Sequence, residues 1–159
     1  MIYKKLKKLE LKLSSIGMGT GIGGFRAKNS LYPKKQIEVI KLGIDLGINF
    51  LDTAEEYGKG EAEINLGKAI KGRRDNIFIG TKVSPQNQGK KSLIKSAEAS
   101  LVRMGIDCID LYQLHWPNPC IDIEETVDGL RNLIENYKIK YVGVSNFSFS
   151  DIQRFRKLM

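Results

Sequence analysis

A chain of 159 residues, 42% hydrophobic and 28% charged, has the size and apolar content of one globular domain with a real core, which excludes a disordered or low-complexity protein. Lys and Arg number 26 against 18 acids, a net charge of +8. The basic clusters (Lys4, Lys5, Lys7 and Lys8; Lys34 and Lys35; Lys90 and Lys91; Arg154, Arg156 and Lys157) are scattered and lack interleaved aromatics on one element, so they read as solvated surface with some attraction for an anionic ligand, and no nucleic-acid partner is expected.

One histidine, His115, and two cysteines, Cys108 and Cys120, without C-x-x-C spacing cannot assemble a zinc set, so no metal is expected. The lysine-rich amino terminus never develops a signal-peptide core, and no apolar run is long enough to cross a membrane. A cytoplasmic location without a membrane partner is the expectation.

Short β-rich runs alternate along the chain with amphipathic segments. The runs are SSIGMGT (14–20), INFLDT (48–53), NIFIGTK (76–82), DCIDLYQLH (107–115) and KYVGVSN (140–146), apolar almost throughout as parallel strands buried on both faces should be. Within GMGTGIGG (17–24), Gly19, Gly21 and Gly24 fall on G-x-G-x-x-G spacing. A dinucleotide loop of the Rossmann kind needs its helix to start inside the glycines, whereas FRAKNSLYP (25–33) intervenes before the helical pattern begins near Lys34, so the glycines read as a permissive βα loop. Helical period follows in Ile37, Ile40 and Ile44; in Ala62, Leu66 and Ala69; in Leu93, Ala97, Leu101 and Met104; and in Ile123, Val127, Leu130 and Ile134. Asp122 with Glu125 and Ser148 with Asp151 have capping-box spacing, Ser92 is a candidate N-cap, and Gly47 and Gly105 sit where C-terminal caps belong. The alternation predicts successive βαβ units around a parallel sheet.

Polar residues interrupt the apolar runs at their carboxyl ends: Asp52, Lys82, His115, and the pair Ser145–Asn146. The successive intervals, Asp52 to Lys82, Lys82 to His115 and His115 to Asn146, are 30, 33 and 31 residues, so each βα unit delivers one group to the same rim. Each alone has a structural reading, as a turn cap, a surface lysine, a satisfied histidine or a loop start. In phase, they occupy the face on which β/α barrels build active sites.

DTAEEYGKGEAEINLG (52–67) resembles the aldo-keto reductase signature, and GTK (80–82), DLYQLHWP (110–117) and VGVSNF (142–147) match further blocks of that family in order and spacing. The resemblance implies a TIM-type (β/α)8 barrel of class α/β, here truncated to about the first five βα units and preceded by an N-terminal β-hairpin turning at KKLE (7–10). Residues 1–159 would be the N-terminal portion of an NADP(H)-dependent oxidoreductase that reduces an aldehyde or ketone to an alcohol. It implies a catalytic tetrad on Asp52, Tyr57, Lys82 and His115, with Ser145 and Asn146 holding the nicotinamide carboxamide, and Gly19, Thr20 and Asp52 lining the nicotinamide side. Tyr57 would donate the proton that the developing alkoxide needs, Lys82 would stabilise the phenolate left behind, Asp52 would hold Lys82, and His115 would orient the carbonyl oxygen, a role its neutral form can fill. Trp116 is either a substrate-pocket wall or a buried structural tryptophan.

The alternative is a non-catalytic chain, truncated or regulatory, that keeps the same residues. Five strands against the eight of a closed barrel further predict self-association or pairing with a complementing C-terminal fragment, and little or no activity from the chain alone.

Overall fold

The sequence folds into alternating strands and helices in a computed structural model that describes residues 1–6, 11–21 and 32–159. The lysine-rich opening pairs as an antiparallel hairpin of β1 (Tyr3–Leu6) and β2 (Leu11–Ser14), with Leu6 opposite Leu11. Its turn at KKLE lies outside the described residues, as do Gly24 and residues 25–31 of the glycine loop.

Five parallel strands form one sheet in sequential order: β3 (Met18–Gly19), β4 (Phe50–Asp52), β5 (Phe78–Val83), β6 (Ile109–Leu114) and β7 (Ile139–Val144). Between them run α1 (Tyr32–Asp45), α2 (Glu61–Ile70), α3 (Lys90–Met104) and α4 (Ile123–Glu135), and α5 (Phe149–Leu158) follows β7. The register lines up Asp52, Gly80, Leu111 and Tyr141 across four strands, and Lys82, Gln113 and Gly143 across three. Strand side chains alternate between two environments. Leu51, Ile79, Tyr112 and Leu114 are fully buried on the face that shares a core with Leu66, Leu93, Ala97 and Leu130 of the helices, whereas Phe50, Phe78, Leu111, Gln113 and Tyr141 on the other face are half-buried.

The helix ends follow the expected chemistry with two exceptions. After α1 and α3, Gly47 at φ +94° and Gly105 at φ +63° close Schellman-type turns, Ile48 N donating to Gly43 O and Ile106 N to Leu101 O. Ser148 caps α5, its Oγ accepting from Asp151 N at 3.2 Å. Ser92 is not an N-cap: α3 starts two residues earlier behind Gly89, and the Ser92 hydroxyl bonds back to Gly89 O at 2.9 Å. Asp122 stands at the N-cap of α4 without a side-chain capping bond, and Glu125 does not close a capping box but turns to α3 and accepts from Lys90 N at 2.9 Å. On α4 the inward residue of the last turn is Leu133, 1% exposed, and not Ile134, 36% exposed.

Candidate active site

Four strand ends carry the polar residues of the rim, with Lys82 bonded to the groups from the end of β4. Asp52 is the last residue of β4, Lys82 the last but one of β5, His115 follows β6 and Ser145–Asn146 follow β7. The Lys82 side chain is only 8% exposed. Burying an ammonium is costly unless its protons are matched, and here Nζ donates to Asp52 Oδ2 at 2.6 Å and to Thr53 O at 2.8 Å, and reaches the Tyr57 hydroxyl at 3.5 Å.

Tyr57 is brought in by the chain leaving β4. Its amide bonds to Ala54 O, and the next three residues, Gly58, Lys59 and Gly60, all have positive φ (60°, 57° and 91°) before α2 begins. Two glycines make this left-handed turn accessible, and Lys59 adopts it against the preference of an L side chain. A Cβ on Gly60 would meet the Arg103 side chain at 2.7 Å, and one on Gly21 would sit 3.1 Å from the Tyr57 ring. Gly21 therefore lies close against that ring.

The His115 ring meets Tyr57 edge to face, centroids 5.8 Å apart and planes at 79°. Its Nδ1 is buried 3.0 Å from Glu56 Oε2, a contact whose angle does not make a well-formed hydrogen bond. Burial first, and then the Lys82 charge, lower the proton affinity of His115 below that of a free imidazole, while Glu56 and Asp52 pull the other way.

Backbone and side-chain bonds tie the rim together. Ser145 N donates to Leu114 O at 2.8 Å, and Asn146, at φ +61°, donates from Nδ2 to His115 O at 2.8 Å and to Ser145 Oγ at 2.9 Å. Glu55 Oε1 accepts from Ser84 N at 2.8 Å, from Asn87 Nδ2 at 3.0 Å and from the Ser84 hydroxyl, fastening the loop after β5 to the loop after β4. Gln88 Nε2 donates to Trp116 O at 2.7 Å, linking that loop to the one after β6. Trp116 is half exposed beside His115, ring centroids 6.4 Å apart, so it is not a buried structural tryptophan. Gly19 pairs with Asp52, and a Cβ there would meet nothing within 4 Å. Thr20 is buried just after β3, with its amide at 2.8 Å and its hydroxyl at 3.2 Å from Asp52 O, so it fastens the end of β3 to the end of β4.

Every residue singled out at the strand ends thus meets its neighbours here. Glu55 and Glu56 carried no separate signal, standing in the sequence only as two letters of the DTAEEYG stretch; their contacts join them to residues 29 and 59 positions away, which no local pattern encodes. A cavity of about 1090 Å³ lies at the other end of the strands, among Asn49, Asn76, Asp107 and Lys140. Arg74 and Lys140 there are both engaged by the buried Asp110, at 2.6 and 2.7 Å.

Residues 15–159 match the model of the aldo/keto reductase family. Aldo-keto reductase YhdN of Bacillus subtilis is 38% identical over 166 residues, covering 98% of this chain and 50% of that protein. Among solved structures, the thermostable aldo-keto reductase Tm1743, in complex with the inhibitor epalrestat, superposes with a TM-score of 0.92 at 38% identity over 99% of this chain and 58% of its own. An aldo/keto reductase of Klebsiella pneumoniae in complex with NADP and acetate does so with a TM-score of 0.86 at 35% identity, over 94% of this chain and 52% of its own. The chain spans about half the length of the curated relatives it matches, and its five-stranded parallel sheet is the corresponding part of a TIM-type barrel. The chain belongs to the aldo/keto reductase family.

Proposed function

We propose that Asp52, Tyr57, Lys82 and His115 are the catalytic groups of an NADP(H)-dependent reductase that converts an aldehyde or ketone to an alcohol. The observation that carries this reading is the Lys82 ammonium held between the Asp52 carboxylate and the Tyr57 hydroxyl, 2.6 and 3.5 Å away in a nearly water-free position. Bound NADPH would supply the hydride that adds to the carbonyl carbon. Tyr57 gives its hydroxyl proton to the carbonyl oxygen as negative charge develops there. Lys82 stabilises the resulting phenolate, and Asp52 keeps the ammonium in place and charged. His115 hydrogen-bonds the same oxygen and orients it, and Trp116 forms a wall for the substrate.

The residues suit the nicotinamide end of the cofactor. Gly19 leaves open space beside Asp52, and across the rim the exposed Asn146 and half-exposed Ser145 offer amide and hydroxyl groups for a carboxamide. The NADP in the Klebsiella relative supports the same choice of cofactor.

The test is to join this chain to the unmatched half of the B. subtilis relative and follow NADPH by fluorescence and absorbance. The hybrid is expected to bind NADPH and oxidise it in the presence of aldehydes. A hybrid that melts cooperatively and binds NADPH, yet reduces no aldehyde or ketone in a broad panel, overturns the proposal.

A further inference from the structure

His115 is the only histidine of the chain, and its Nδ1 lies beside a carboxylate that the proposed mechanism does not use. Glu56 belongs to the segment leaving β4, one residue before Tyr57, and its Oε2 lies 3.0 Å from Nδ1 of a ring that follows β6. Nδ1 is buried and has no well-formed hydrogen bond among the described residues, and the Glu56 carboxylate is the charged group that stands against it. Neutral imidazole carries one proton, on one nitrogen or the other. Were it on Nε2, the bare, electron-rich Nδ1 would sit 3.0 Å from a carboxylate oxygen, a repulsive pairing of two acceptors inside the protein, where unmatched polar groups are most costly. With the proton on Nδ1, the same contact becomes attractive.

We propose that Glu56 is a positioning residue that fixes the tautomer of His115, holding a proton on Nδ1 and leaving Nε2 an acceptor while the ring is neutral and a donor only once the ring is charged. Three other groups act on the ring. Lys82 from β5 opposes its second proton, Asp52 from β4 favours it, and Tyr57 contributes its ring edge to face. The neighbours from β7, Ser145 and Asn146, carry no charge.

The consequence for chemistry rests on the carbonyl-reductase reading. A carbonyl oxygen needs a donor, so His115 can orient it only as imidazolium, whereas an alcohol hydroxyl can donate to the bare Nε2 of the neutral ring. Reduction is then favoured on the acid side of the His115 titration and alcohol oxidation on the basic side. This departs from the simpler expectation that the neutral ring serves reduction.

A single histidine makes the test direct. Histidine-selective ¹⁵N labelling of the 159-residue chain gives one imidazole, and magic-angle-spinning spectra of sedimented protein distinguish its protonated from its bare nitrogen whatever the association state. The expected wild-type spectrum above the titration midpoint shows protonated Nδ1 and bare Nε2. Glu56→Leu is expected to abolish that preference and to weaken proton binding by the ring several-fold. Glu56→Gln, whose amide can accept from a protonated Nδ1 or donate to a bare one, is expected to weaken the tautomer preference and to lower the proton affinity. A wild-type ring protonated on Nε2, or a titration unchanged in both variants, overturns the proposal. The measurement needs no turnover, so an inactive hybrid barrel would refute the catalytic reading and leave this one standing.

Discussion

Lys82 concentrates the energetic risk of the site in one side chain. An ammonium 8% exposed has, among the described residues, Asp52 as its ion-pair partner, with Thr53 O and the Tyr57 hydroxyl as neutral partners. Removing one partner of a buried pair leaves the other uncompensated, which costs more than the intact pair contributes. Because Asp52 itself is 32% exposed, water can replace part of what is lost. Asp52→Ala is therefore expected to destabilise the protein by about 2 kcal/mol and Asp52→Asn by about half as much, since the amide oxygen can still accept from Nζ. Urea denaturation midpoints of the three proteins check the order. An Asp52→Ala protein as stable as wild type would mean that Lys82 relaxes out to solvent.

At the scale of elements, α2 and α3 cross where Gly67 faces the backbone of Met104. A Cβ on Gly67 would lie 2.3 Å from Met104 O, an atom that no side-chain rotation can move aside. Gly67→Ala is expected to force the helices apart and destabilise by about 3 kcal/mol despite the better helix propensity of alanine, and thermal unfolding measures it. A neutral or stabilising result would show that the crossing is slack. This contact also marks what was legible in the sequence. The strands, the helices and the phase of Asp52, Lys82, His115 and Ser145 could be read because they are periodic along the chain. Gly67 against Met104, Glu125 serving the amide of Lys90, and Glu56 against His115 are pairings between segments, and a lone glycine or glutamate does not announce its distant partner. Ser92 misled for the same reason, since Gly89 in extended conformation admits the helix two residues earlier.

For the whole molecule, the two faces of the sheet set the expectation. The helix-facing side is packed, with Leu51, Ile79, Tyr112 and Leu114 at 0 to 1% exposure, whereas Phe50, Phe78, Leu111 and Tyr141 on the other side are half-buried. Within the described sheet, β3 and β7 each pair on one side only. Unpaired parallel edges flanking a half-covered apolar face favour association. The 159-residue polypeptide on its own is accordingly expected to be self-associated in light scattering, and to bind NADPH weakly with little or no carbonyl reduction. A monodisperse, cooperatively melting monomer that turned over would show that five strands suffice.

The central claim, that Tyr57 supplies the proton for carbonyl reduction in a site organised by Lys82, is tested most directly by Tyr57→Phe in the hybrid barrel. The change removes one hydroxyl and keeps the ring that packs against Gly21 and His115. Aldehyde-dependent NADPH oxidation is expected to fall by at least about a hundredfold while NADPH affinity stays within about twofold, because only the proton donor is lost. Undiminished turnover in that variant would contradict the account.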